Sequence, residues 1–245
     1  MAAPDSASLL ARSLKAANRF PQRVALVACG AMAWPALVMA WQVVTRTLGP
    51  NPLEQVIRTP GKWALVLLLV VLALTPLRQL MVLAARRLGW RWGRRLADWN
   101  WLIRLRRHVG LASFFYAFVH VMLYGTLDLG WDWDEFVEDA SNKPFVLAGV
   151  AAIVLLTPLA ITSTDAWMRR LKRNWKRVHW LVYPAAVFAV LHFIWMSKLG
   201  VHRPYVYGAV LLVLLLYRLV MRRKPEAAGR DALGEEAPER PAAAS

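Results

Sequence analysis

The chain has 245 residues, of which 58% are hydrophobic, and it carries a formal net charge of +16 at pH 7. This combination is unusual in a soluble globule and typical of a membrane protein. The basic residues lie in blocks between apolar runs, which indicates that they orient the membrane spans rather than bind nucleic acid. The single cysteine, Cys29, excludes an internal disulfide framework and any four-thiolate iron–sulfur or zinc site within the monomer.

Six apolar stretches dominate the chain. Residues 1–22 do not resemble a signal peptide and are interpreted as a cytoplasmic lead-in. Because about 20 apolar residues cross the hydrocarbon core as a helix, we expect an all-α bundle of six transmembrane helices within residues 23–221. The windows are 24–44, 63–84, 109–127, 145–163, 178–196 and 204–221. Residues 222–245, rich in Ala, Pro, Glu and Gly, are expected to form a disordered cytoplasmic tail.

Charged residues predict the orientation of this bundle. The lead-in, the loops around 86–107 and 169–177, and the start of the tail are rich in Arg and Lys, and all lie on one side if there are six spans. The intervening loops have few basic residues, and the loop at 128–139 is acidic. Basic loops stay in the cytoplasm, so both termini are predicted to be cytoplasmic and the acidic loop external.

Four histidines lie in or beside the spans. Ionisable groups in a span are costly and usually face the bundle interior, where they serve a pathway or a cofactor. His120 and His192 lie within the third and fifth spans, which run in the same direction. At about 1.5 Å per residue, His120 is about 18 Å beyond His108, and His192 about 20 Å beyond His179. The sequence therefore predicts an outer level with His120 and His192 and an inner level with His108 and His179.

Two histidine levels favour a haem-based electron path across the membrane. A six-coordinate haem iron needs two axial ligands on opposite faces, and neutral imidazoles from two helices supply them. One or two haems are expected. The alternatives are a hydrogen bond between helices for His120 and His192, and an interfacial position for His179 and His108. Zinc or di-iron is not expected, because no acid lies beside these histidines within the spans.

Helical periodicity complicates this arrangement. At 100° per residue, thirteen residues turn His192 about 140° from His179, and twelve turn His120 about 120° from His108. A straight helix therefore does not place either pair on one face. Pro184, between His179 and His192, is expected to kink the fifth span and change the first offset.

Two segments carry a family resemblance. RRHVGLASFFYAFVHVMLYGTLDLG and KRNWKRVHWLVYPAAVFAVLHFIWMSK, in a six-span chain, resemble the transmembrane haem domain of ferric reductases and NADPH oxidases. More narrowly, they look like the MsrQ family, formerly called YedZ, over about residues 20–221.

The resemblance implies a b-type haem subunit of the bacterial inner membrane. It would pass electrons from the quinone pool or a cytosolic flavin reductase to MsrP, a periplasmic molybdenum enzyme that reduces methionine sulfoxide in oxidised proteins. The haem-binding residues carried over are His120, His179 and His192; His108 is a fourth candidate from its position alone. FMN is implied as a further cofactor, without assigned residues.

Other functions remain open at this point. The chain has no nucleotide-binding fingerprint, so it is expected to be an electron-transfer subunit rather than the catalytic subunit. A stand-alone ferric or cupric reductase would share every haem residue. A cofactor-free transporter or scaffold is a third reading.

Overall fold

The computed structural model describes residues 6–90, 92–197 and 202–234, with side chains described over 12–90, 92–197 and 202–221. All regular structure in these ranges is helical, as the sequence predicts. In chain order the helices are α1 (Ser6–Arg19), α2 (Pro21–Val44), α3 (Pro52–Arg87), α4 (Asn100–Leu127), α5 (Trp133–Asn142), α6 (Pro144–Ile161), α7 (Asp165–Leu171), α8 (Arg173–Val178), α9 (Val182–Met196) and α10 (Arg203–Gly234). Short 3₁₀ turns, Leu96–Trp99 and His179–Leu181, precede α4 and α9.

Six helical segments are long and apolar enough to cross a membrane. They contain α2, α3, α4, α6, α9 and α10, which agrees with the six predicted windows. Three of these helices begin on a proline, Pro21, Pro52 and Pro144. Proline suits the first helical turn, because its fixed φ is helical and the N–H it lacks has no partner there. With six spans, the start of α2 and the end of α10 lie at the same end of the bundle, which we call the inner end.

Helix α3 forms the centre of the bundle and packs against α2, α4, α9 and α10. Leu72, near its middle, is 1% exposed. Ala185 and Ala186 of α9 are fully buried, and such small side chains let helices approach closely. The outward faces are apolar too: Val44 of α2 is 79% exposed. An apolar outer surface on a bundle of long helices is the surface that lipid covers.

The Tyr116 hydroxyl of α4 bridges two backbone groups of α2 beside a proline. Pro35 lies inside this helix and cannot donate a backbone hydrogen bond. The Tyr116 hydroxyl of α4 donates to the Met32 carbonyl at 2.6 Å and accepts from the Ala36 N–H at 3.2 Å. In a regular helix these two backbone groups would bond to each other. The hydroxyl therefore joins α2 to α4 and keeps both groups paired where no water is available.

The acidic segment at the outer end of the bundle, predicted as a loop, contains the short helix α5. Asp132 caps its N-terminus by accepting hydrogen bonds from the backbone N–H groups of Asp134 and Glu135, at 2.8 and 3.2 Å. Acidic residues in the first turn also interact favourably with the positive end of the helix dipole. Acidic residues therefore begin a helix within a segment that the sequence predicts as a loop.

One acidic residue of α5 is held against the bundle. The Asp139 carboxylate forms an ion pair with Lys143 and accepts a hydrogen bond from the Tyr124 hydroxyl at 2.7 Å. These two donors stabilise the charged carboxylate and lower the pKa of Asp139. Asp139 therefore connects α5 to the outer end of α4. The other acidic side chains of the segment are exposed.

The fifth span changes its helical geometry just before its proline. A 3₁₀ turn covers His179–Leu181, and the regular helix begins at Val182. Pro184 lies in the first turn of α9, and a proline ring crowds the carbonyl of the residue four positions earlier, here Trp180 in the 3₁₀ turn. The effect of Pro184 on the offset between the two histidines stays a prediction.

The last helix continues beyond the predicted membrane span. Helix α10 runs to Gly234, so the backbone of residues 222–234 is helical. Residues 235–245 lie outside the described residues. The division into lead-in, membrane domain and disordered tail stays a prediction.

Replacing Leu72 with alanine tests the position of the core. We expect Leu72→Ala to lose about 2 to 5 kcal/mol of stability, because truncating a fully buried leucine leaves a cavity. Leu80→Ala is the matched control, since Leu80 is on the same helix but 54% exposed. Thermal unfolding in detergent should show a clear fall in midpoint for the first variant only. Equal falls for both would contradict a central α3.

Candidate haem site

His120 of α4 and His192 of α9 face each other inside the bundle. Their ring centroids are 6.0 Å apart and their planes meet at 68°. Both residues are partly buried, and each projects from a helix that runs outward from the inner end. The sequence predicts that these two histidines share a depth, and the structure places them side by side.

Both rings are oriented by backbone carbonyls. His120 Nδ1 lies 2.8 Å from the Ile57 carbonyl oxygen of α3, and His192 Nδ1 lies 2.7 Å from the Phe145 carbonyl oxygen of α6. A carbonyl only accepts hydrogen bonds, so a neutral imidazole in this position carries its proton on Nδ1. Each Nε2 then keeps its lone pair, which is the state that a metal-ligating histidine needs.

A glycine makes room for each ring, one turn after the carbonyl that holds it. A Cβ on Gly61 would lie 3.1 Å from His120 Nδ1, and a Cβ on Gly149 would lie 2.8 Å from His192 Nδ1. Gly61 is four residues after Ile57, and Gly149 is four residues after Phe145. Because residues four apart lie on the same face of a helix, each imidazole fits over one turn that lacks a side chain.

The distance between the rings suits two ligands of one iron. A metal about 2.0 Å from an imidazole nitrogen lies about 3.1 Å from the ring centroid, so two ligands on opposite sides of it have centroids about 6.2 Å apart. The observed 6.0 Å is close to this value. With both Nε2 lone pairs available, His120 and His192 are the residues that would hold a haem iron between α4 and α9.

His179 lies apart from this pair and is oriented in a similar way. Its ring stacks on Trp175, with centroids 3.9 Å apart, and its Nδ1 is 3.2 Å from the Trp175 carbonyl oxygen. Trp175 is itself fixed, because its indole N–H donates to the Thr162 carbonyl at the end of α6. His179 therefore also presents a free Nε2, at the inner level where the sequence predicts it.

His108 lies on a different part of the bundle. It lines a cavity of about 240 Å³ between α2 and α4, together with Trp101, Arg104 and Pro21. Its Nδ1 is buried and has no hydrogen-bond partner. Since twelve residues turn His108 about 120° from His120 on the straight helix α4, His108 faces α2 rather than α9. The structure does not bring His108 and His179 together.

Several residues that shape the site carry little signal in the sequence. The two carbonyl groups belong to Ile57 and Phe145, whose side-chain identity is irrelevant to the bond. A lone glycine in an apolar span is a weak signal, because glycine is common in membrane helices. Gly61 and Gly149 become informative only when the helices are packed together.

Comparison with known proteins gives an independent result. Residues 60–190 match the family model described as "Ferric reductase like transmembrane component". This region includes His120 and His179 and ends two residues before His192. It covers more than half of the chain.

Individual relatives match over a longer range. A protein of Xanthomonas axonopodis pv. citri (strain 306) is 42% identical over 207 residues, which cover 84% of this chain and 87% of the relative. One from Xanthomonas oryzae pv. oryzae (strain MAFF 311018) is 46% identical, with coverage of 73% and 74%, and one from Herminiimonas arsenicoxydans is 41% identical, with coverage of 74% and 77%. Each is named "Protein-methionine-sulfoxide reductase heme-binding subunit MsrQ".

Adding a methyl group at Gly149 tests whether haem binding needs a helical turn without a side chain at this position. In Gly149→Ala the new Cβ would collide with His192 Nδ1, so we expect the ring to move, the bound haem to fall at least severalfold, and its visible spectrum to change. Gly30→Ala is the matched control, because a Cβ there meets nothing within 4 Å. Haem per protein, measured by pyridine haemochrome, should be normal in Gly30→Ala. Normal haem content in Gly149→Ala would contradict this account of the site.

Proposed function

The chain belongs to the MsrQ family, and on this premise we propose that it is the b-type haem subunit of a methionine sulfoxide reductase system. In this role it carries electrons across the bacterial inner membrane to a periplasmic molybdenum enzyme, MsrP, which reduces methionine sulfoxide in oxidised proteins. The chain acts as the electron-transfer subunit, and the sulfoxide is reduced by the partner.

The opposed pair His120 and His192 is the observation on which this proposal depends. A haem iron with two imidazole ligands accepts and donates one electron without changing its ligands. The residues of the chain hold the imidazoles in the correct tautomer, through the carbonyls of Ile57 and Phe145. The Phe145 ring also lies beside the His192 ring, and apolar surroundings would tune the potential of a bound haem.

His179 extends the path towards the inner end. It lies thirteen residues before His192, which corresponds to about 20 Å along a helix. We propose His179 as a ligand of a second haem at this level; its free Nε2 supports the assignment. His108 is not included, because it faces α2. The donor at the inner end is the quinone pool or a cytosolic flavin reductase. FMN rests on the family resemblance alone, and we assign no residue to it.

The acidic helix α5 supplies a surface for the electron acceptor. Asp134, Glu135 and Glu138 are exposed on this helix, at the outer end of the bundle near the histidine pair. Exposed charge of one sign accelerates the encounter with a partner of opposite charge. We propose that α5 contacts a basic surface of the periplasmic reductase.

Spectroscopy of the histidine variants tests the haem assignment. We expect the wild-type protein, purified in detergent, to show b-type bands in a reduced-minus-oxidised spectrum. His120→Ala and His192→Ala should each lose most of the signal of the outer haem, because one remaining imidazole holds the iron weakly. His202→Ala is the control, since His202 is exposed. A colourless wild-type protein would instead favour a cofactor-free transporter or scaffold.

Charge removal on α5 tests the docking surface. The triple variant Asp134→Asn/Glu135→Gln/Glu138→Gln leaves the helix cap at Asp132 and the Asp139 contact intact. We expect severalfold slower electron delivery to the purified reductase at low salt, and a smaller difference at high salt, because exposed charges are then screened. Glu54→Gln, an exposed acid on α3, is the control. Full electron delivery to ferric iron but none to the reductase would indicate a stand-alone metalloreductase.

A further inference from the structure

Two arginines lie among the helices in the inner half of the bundle. Arg218 of α10 donates to the Tyr183 hydroxyl of α9 and to the Leu72 carbonyl of α3. Arg106 of α4 donates to the Thr75 hydroxyl of α3. All of these partners are neutral. Leu72 and Thr75 are three residues apart on α3, so both guanidinium groups reach the same turn of this helix.

Neither charge is balanced within the described part of the chain. The ion pairs there join Arg58 to Glu54, Arg107 to Asp165 and Lys143 to Asp139, and neither Arg106 nor Arg218 takes part. In addition, the Nε–H groups of Arg106 and Arg218 are buried and have no hydrogen-bond partner. Arg106 and Arg218 are partly buried, and a guanidinium group that is withdrawn from water stays charged and is costly unless an anion pairs with it. Two adjacent ones with unused donors indicate an anion site.

Helical phase places this pair on the path of the histidines. Arg106 is fourteen residues before His120 on α4, which corresponds to a rotation of about 40° and about 21 Å towards the inner end. It therefore shares a face of α4 with His120, whereas His108 does not. On α9, Tyr183 accepts a hydrogen bond from Arg218 and lies four residues after His179. The arginines thus lie at the inner level of the proposed electron path.

We propose that Arg106 and Arg218 together bind an oxyanion, the carboxylate or phosphate of a cofactor seated at the inner level of the bundle. Guanidinium groups pair with both through forked, charge-assisted hydrogen bonds. Haem supplies such an anion in its propionate carboxylates, and a flavin mononucleotide supplies one in its phosphate. The inference rests on the proposed function, because it takes the ligand to be an electron-carrying cofactor.

The test compares ligands that differ only in the anion. Full-length protein, purified in detergent and depleted of cofactor, is titrated with haem and haem dimethyl ester, and separately with FMN and riboflavin. The variants are Arg106→Gln and Arg218→Gln, with the charge-retaining Arg106→Lys and Arg218→Lys. Arg107→Gln is the matched control, because Arg107 is the next residue in the chain but is 40% exposed and paired with Asp165.

We expect the wild type and Arg107→Gln to bind one anionic ligand about tenfold more tightly than its uncharged analogue, as a charge-assisted pair implies. The glutamine variants should lose this preference, and the lysine variants should keep part of it. Loss of the preference for haem over its diester identifies a propionate; loss of the preference for FMN over riboflavin identifies a phosphate. Both outcomes support the proposal.

Preferences that survive in both glutamine variants, or that are absent from the wild type, overturn it. Haem binding at His120 and His192 distinguishes a failure of the anion site from a failure of the proposed function. A wild type that binds no haem refutes the haem assignment itself. A wild type that binds haem at His120 and His192 while the arginines have no effect refutes only the anion site. If a glutamine variant does not fold, its lysine counterpart gives the comparison. A lysine variant should keep only part of the preference, so a preference equal to that of the wild type in both lysine variants counts against the proposal.

Discussion

The absence of water from the bilayer core is the constraint on which this structure depends. Every polar group within the spans needs a partner from the protein, since an unpaired one costs several kcal/mol. Backbone carbonyls provide much of this pairing: Ile57 and Phe145 orient the two opposed histidines, and Ala64 accepts from the buried Ser113 hydroxyl. Helices that are mostly apolar thereby become connected at a few defined points.

The same constraint distinguishes satisfied polar groups from unsatisfied ones. The Nδ1 atoms of His120 and His192 are paired, and each ring retains one nitrogen that can accept a metal. Arg106 and Arg218 have neutral partners and unused donors, but no carboxylate within the described residues. A histidine pair at the outer level and an arginine pair at the inner level give the bundle two polar layers, separated by the apolar core around Leu65 and Leu68.

Much of the architecture follows from length and hydropathy. A run of about 20 apolar residues has few alternatives to a membrane-spanning helix, so all six spans were predictable. Features set by local hydrogen bonds were harder to predict. Helix α5 depends on the cap that Asp132 provides, and a 3₁₀ turn at His179–Leu181 precedes Pro184. Acidic composition and a proline in an apolar run do not determine such details.

The sequence by itself determined the depth of each candidate residue, because the rise per residue of a helix is constant. It therefore predicted that His120 and His192 share one level. Only the tertiary structure decided which faces meet, since the rotation of one helix relative to another depends on side-chain packing and close approach at small residues. Packing directs His108 towards α2 and brings Arg106 and Arg218 together from helices more than a hundred residues apart in the chain. It also places Gly61 and Gly149 against the imidazole rings, a contact that no local pattern encodes.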